Sequence, residues 1–136
     1  MGRMGSGTAA LFALALLPSS AGAAEPYEGA WVTNLQDCGD DDGLTSLTVI
    51  DFKFDFDGKP VPMVDRYENH CRIEKKTSVG NDTTLSVTCF EFQDDLRRNI
   101  NGEKATLKLS LASKDMLKID GKPYLRCPAK GTKKKP

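Results

Sequence analysis

The chain reads as an all-β protein: a small antiparallel barrel or sandwich of about seven or eight short strands, stapled by two disulfides. Three observations lead there. Apolar and polar residues alternate over several runs, the period of a strand with one buried face. Turn signals such as Asp57-Gly58, Gly80-Asn81-Asp82 and Asp120-Gly121 separate those runs. Four cysteines follow an export-type leader, and an even set in an oxidising compartment reads as disulfides. No stretch carries a convincing apolar repeat near the helical period.

The leader comes first. Arg3 supplies a positive start, residues 9–17 are unbroken apolar, Pro18 ends the run and Ala21-Gly22-Ala23 is small. These are the parts of a secretory signal peptide over residues 1–24. Cleavage after Ala23 and cleavage after Ala24 both fit. The run falls short of the roughly 20 apolar residues that cross a bilayer. No cysteine follows it, so it offers no lipoprotein attachment point. No transmembrane segment is expected, and the location read from these features is periplasmic or secreted.

The β domain spans residues 25–127. Ala30-Trp31-Val32 opens it as a short strand. Thr48, Ile50, Phe52, Phe54 and Phe56 alternate with Val49, Asp51, Lys53, Asp55 and Asp57. That alternation predicts one half-buried strand with three aromatic rings on one face. Pro60 and Pro62 punctuate the next stretch. Further strands are expected at Tyr67–Ile73, Leu85–Phe92, Ala105–Leu111, Leu117–Ile119 and Tyr124–Cys127. The last two form a hairpin about Asp120-Gly121. Asp94 to Ile100 predicts one turn of helix, acids first and bases last, as the helix dipole prefers. Asp-Gly-Lys-Pro occurs at Asp57–Pro60 and Asp120–Pro123. That is turn chemistry used twice rather than a duplication.

Residues 128–136 form a basic tail with Lys130, Lys133, Lys134 and Lys135 and nothing apolar to pack, so it is expected to be disordered. The whole chain balances 19 bases against 19 acids. Without Arg3 and the four tail lysines, 14 bases face the same 19 acids, a net −5. An acidic body argues against nucleic acid and for a basic partner. The phenylalanines of residues 52–56 also stand among Asp51, Asp55 and Asp57, which repel phosphate.

Cys38, Cys71, Cys89 and Cys127 are the disulfide residues. Three pairings are possible. Pairing in chain order, Cys38–Cys71 and Cys89–Cys127, is the expectation. Each such bridge closes a loop of about 35 to 40 residues, worth about 3–4 kcal/mol in the chain-entropy model. The spacing contains no C-x-x-C pair, so neither a zinc site nor a redox pair is read from it.

Asp40, Asp41 and Asp42 sit between Gly39 and Gly43 and form the candidate partner-binding loop. The same carboxylates raise the alternative of a Ca²⁺-stabilised module. EF-hand spacing is absent: with Gly43 in the glycine place, Cys38 stands where the first acid belongs and Val49 where the bidentate Glu belongs. Trp31, Phe52, Phe54 and Phe56 are the candidate lining of a cavity for a small apolar ligand, though small barrels mostly fill with their own side chains. His70, the only histidine, falls on the polar phase of its strand and reads as a surface residue. No nucleophile elbow, zincin motif or phosphate loop is present. No catalytic residue, metal or cofactor is expected, and the chain does not read as an enzyme. Oligomeric state is left open.

The order Gly29-x-Trp31, Cys38, Tyr67-Glu68-x-x-Cys71-x-Ile73, Val87-x-Cys89, Leu107-x-Leu109, Leu117-x-Ile119 and Tyr124-x-Arg126-Cys127 resembles small exported bacterial two-disulfide β proteins of undefined function. The resemblance implies export and a stapled β domain and carries no catalytic residue. The architecture is also similar to the small β-barrel inhibitors that bacterial envelopes use against proteases or lysozymes. Together these readings imply a non-enzymatic envelope protein that binds a basic hydrolase through its loops.

Overall fold

The computed structural model describes residues 2, 24–39 and 45–129. Asp40, Asp41 and Asp42, most of the expected leader and the tail lysines lie outside the described residues.

Eight antiparallel strands close into a barrel in chain order. They are β1 (Gly29–Val32), β2 (Thr48–Phe56), β3 (Lys59–Arg66), β4 (Asn69–Val79), β5 (Asp82–Phe90), β6 (Glu103–Ser113), β7 (Met116–Ile119) and β8 (Lys122–Arg126). β8 returns to pair with β1. Closure pairs every strand with a neighbour on both sides over part of its length. Tight turns make this order. Asp57 and Gly58 have φ of 53° and 79°, and Asp120 and Gly121 have 50° and 84°. Positive φ at both central residues is the type I′ turn, whose twist matches that of the strands it joins. The repeated tetrapeptide therefore makes the same corner twice. Among the described residues, no helix is long and apolar enough to cross a membrane.

The prolines do not interrupt the sheet, and β3 is a strand where the sequence promised only punctuation. β4 pairs with β3 from Met63 onward, so Pro60 and Pro62 lie on a stretch without a β4 neighbour. Pro62 faces a bulge formed by Phe52 and Lys53. Edge stretches and bulges are where a strand tolerates a missing N–H.

That bulge also corrects the expected aromatic face. One extra residue reverses which side each later side chain takes. Phe52 packs against the barrel interior with Tyr27, their ring centroids 6.0 Å apart. Phe54 and Phe56 pack instead with Met63, Phe90, Leu96 and Val61. This second cluster sits on the outer wall, beneath α1 (Gln93–Arg98). The helix ends at Asn99, left-handed at φ 53°, a position Asn tolerates.

The interior is filled. Trp31, Ile50, Val64, Leu85 and Leu117 are at most 1% exposed. Arg126 locks the start of the chain over this core. Its guanidinium lies 4.2 Å from the Trp31 ring centroid and donates to the carbonyls of Pro26, Glu28 and Lys114. Gly29, at φ 140°, makes room: a Cβ there would meet Arg126 Nη1 at 2.6 Å.

The disulfides are Cys38–Cys127 and Cys71–Cys89, so the expected chain-order pairing is wrong. The reason is register. A regular hairpin about Gly80-Asn81 would set Phe90 opposite Cys71. A bulge at Glu74 shifts the ladder by one, and Cys89 faces Cys71 with Cα atoms 3.9 Å apart. Cys38, in the 3-10 turn Leu35–Gly39, bonds Cys127 just past β8 across 89 positions of sequence.

Candidate partner-binding groove

The outer phase of the sheet carries a cross-strand row Val49–Asp65–His70–Phe90. His70 Nδ1 lies 2.5 Å from Asp65 Oδ1. Directly opposed residues on one face meet this way. His70 faces outward, as its phase predicts, but it is half-buried and paired rather than free at the surface. An open groove of about 400 Å³ runs along this row. Leu47, Val49, Asp65, His70, Tyr67 and Phe92 line it. Tyr67, in the β3–β4 turn, is 47% exposed, and Phe92, between β5 and α1, is 54% exposed. Glu68 and Glu91 add exposed carboxylates to the same lining. Arg66, also in the lining, is turned to Thr48, its Nε donating to Oγ1 at 3.2 Å.

Thr45 lines the groove too and is the first described residue after the acidic loop. The base of that loop is held on both sides. Asp37 Oδ2 accepts the Ser46 N–H at 3.0 Å and the Ser46 hydroxyl at 2.6 Å. The Ser46 hydroxyl oxygen in turn accepts the Thr33 N–H at 2.9 Å. The two Ser46 bonds hold the Asp37 carboxyl below the usual carboxylate range. The bridge from Cys38 secures the other side. Leu35, in the turn leading into the loop, is exposed. Thr45, Ser46, Asp37 and the Cys38 bridge thus hold the described residues on either side of positions 40–44 beside the groove.

The candidate cavity lining does not assemble. Trp31 and Phe52 belong to the interior cluster and Phe54 and Phe56 to the outer one. Among the described residues, no three His, Cys, Asp or Glu side chains converge to hold a metal. None of the described hydroxyls bonds His70, and all four cysteines are in disulfides. The groove residues Asp65, Tyr67, Glu68, Glu91 and Phe92 were not read from sequence as partner-binding, although Tyr67 and Glu68 stand in the motif that carries the resemblance. One signal pointed there: Phe90 and Phe92 take the phase opposite to Leu85, Val87 and Cys89.

No family model, curated protein or solved structure matches the chain. The likeness to two-disulfide β proteins therefore extends to two disulfides and a small all-β fold.

Proposed function

We propose that this is a non-enzymatic exported protein, periplasmic or secreted, that binds a basic partner protein. In its most concrete form it inhibits a basic hydrolase such as a lysozyme or a protease. The observation that carries this reading is the groove: exposed Tyr67 and Phe92 stand among Asp65, Glu68 and Glu91, next to the base of the Asp40–Asp42 loop. Aromatic anchors supply most of the energy at protein interfaces. Clustered acid steers a basic partner and fixes its orientation. The two disulfides fit an oxidising compartment. The filled interior favours this reading over an apolar-ligand carrier.

Calorimetric titration against a panel of basic lysozymes and proteases tests it. Saturable binding that weakens with salt is expected, with enzyme inhibition at the same stoichiometry. Phe92→Ala is expected to weaken binding at least about tenfold, as for an interface anchor. Loss of Asp40, Asp41 and Asp42 to Asn is expected to slow association. No saturable binding across the panel overturns the hydrolase reading.

A further inference from the structure

We propose that maturation cuts the Ala24–Glu25 bond, and that the new α-ammonium of Glu25 becomes half of a structural ion pair with Glu28. The proposal rests on the export reading above.

The backbone nitrogen of Glu25 lies 2.6 Å from Glu28 Oε2. The other oxygen, Oε1, accepts the Phe52 N–H at 2.7 Å. Phe52 sits in the β2 bulge, where the ladder to β3 is interrupted. One carboxylate therefore bridges the start of the domain to an N–H in that gap. Glu25 and Glu28 are both half-buried. The Glu25 side chain pairs with Lys76 Nζ, which lies 5.0 Å over the Phe52 ring. Lys76 reaches this place because the Glu74 bulge sets it opposite Leu85, on the inward phase. These groups line an open groove of about 570 Å³ together with Ala24, Asp51 and Lys53.

While the bond is intact, Glu25 offers Glu28 one neutral amide N–H. Hydrolysis by a signal peptidase consumes one water. The C–N bond breaks, hydroxyl goes to the Ala24 carbonyl carbon, and the nitrogen takes the proton. Below its pKa the freed amine gains a second proton from solvent and becomes an ammonium facing Glu28. The amide bond to Glu28 is already charge-assisted through its ionised acceptor, and the ammonium adds the second charge that makes it an ion pair. A cut after Ala23 instead puts the ammonium one residue away, about 3.8 Å along the chain, and leaves a neutral amide at Glu28.

The groups around the new terminus are Glu28, the Glu25 carboxylate, Lys76, Lys53 and Asp51, the Tyr27 hydroxyl, which feels Glu25 and Glu28, and Arg126, which donates to the Pro26 and Glu28 carbonyls. A free α-amine titrates at about 7.7–8.0. A facing carboxylate raises that value in the folded state. The stabilisation is then complete below about pH 7.7 and lost as pH rises through the raised value.

The test has two parts. Terminal sequencing of the exported protein is expected to find Glu25 first. Melting midpoints of residues 25–136 and 24–136, prepared with disulfides formed, are then compared at pH 6.5 and pH 10. At the lower pH the chain starting at Glu25 is expected to melt about 4 °C higher. The gap is expected to close at pH 10 and to vanish in Glu28→Gln. Comparing the two starts needs no substitution, so it stands even if Glu28→Gln fails to fold. Equal midpoints at pH 6.5, or an exported chain that begins elsewhere, overturn the proposal alone. A chain that stays unprocessed overturns the export reading and the proposal with it.

Discussion

The interior of the barrel and the groove on its outer wall are built from the same strands, one residue out of phase. Ile50, Val64 and Cys71 point in, and their neighbours Val49, Asp65 and His70 point out. The inner set closes on itself around Trp31 and Leu85, which are fully buried. The outer set leaves Tyr67 and Phe92 half exposed beside carboxylates. The two disulfides divide in the same way. Cys71–Cys89 joins two strands of the wall, while Cys38–Cys127 holds the base of the acidic loop. The proposed partner surface therefore lies on the outer side of the sheet, and changes to the interior cluster are expected to leave it measurable.

The largest blow to the interior is Trp31→Ala. It removes the Arg126 stack and the Nε1–H bond to the Tyr27 carbonyl as well as the ring. A loss of roughly 5 kcal/mol is expected, enough to unfold a marginal domain, read by denaturant titration. Removing the Cys38–Cys127 bridge by double Ser substitution is expected to cost about 4.5 kcal/mol, against about 3 kcal/mol for the shorter Cys71–Cys89 loop. The comparison sharpens if the first pair also weakens partner binding and the second does not. Equal effects on binding would erase the division. Leu96→Ala is expected to cost about 2–3 kcal/mol and to loosen α1 while the interior stays intact. Hydrogen exchange localised to residues 90–100 checks that.

Two pH effects are smaller. The Tyr27 hydroxyl is buried without a partner. Burial first, then Glu25 and Glu28, push its pKa up to about 12. A raised folded value means that its contribution is whole below pH 10 and lost as pH rises toward about 12. Alkaline spectrophotometric titration, with Tyr27→Phe as control, is expected to assign the last tyrosine transition to Tyr27. Asp37 runs the other way. Its lowered value means that the Ser46 contact is present above the free carboxylate pKa, about 3.9, and lost on acidification below it. Acidification below about pH 3.9 is expected to loosen the Asp37–Ser46 contact before the barrel melts, as read by amide exchange at Ser46.

Much of the fold was legible because strand signals are local. The alternation about Ile50, Ile73, Val87, Leu107 and Leu117 marks five strands, and Asp-Gly pairs mark two hairpins. The errors share one cause. A bulge is one unpaired residue with no strong local signature, yet it inverts everything after it. The bulge at Phe52-Lys53 sent Phe54 and Phe56 to the outer wall, and the bulge at Glu74 chose the partner of Cys71. β3 was hidden because prolines read as breakers, and only the pairing shows that Pro60 and Pro62 have no β4 neighbour to need their missing N–H. The groove was least legible of all. Its walls come from the start of β2, the β3–β4 turn and the β5–α1 link, which are far apart in sequence.

By itself, the sequence determined an all-β body with an acid excess, two Asp-Gly turns and four cysteines fit to pair. Hydrophobic period, turn chemistry and charge are properties of neighbouring residues, so they need no fold to be read. Only the tertiary structure decided barrel closure, the Cys38–Cys127 and Cys71–Cys89 pairing, and which aromatic rings face in. Those depend on register, and register is a relation between strands that no single strand contains.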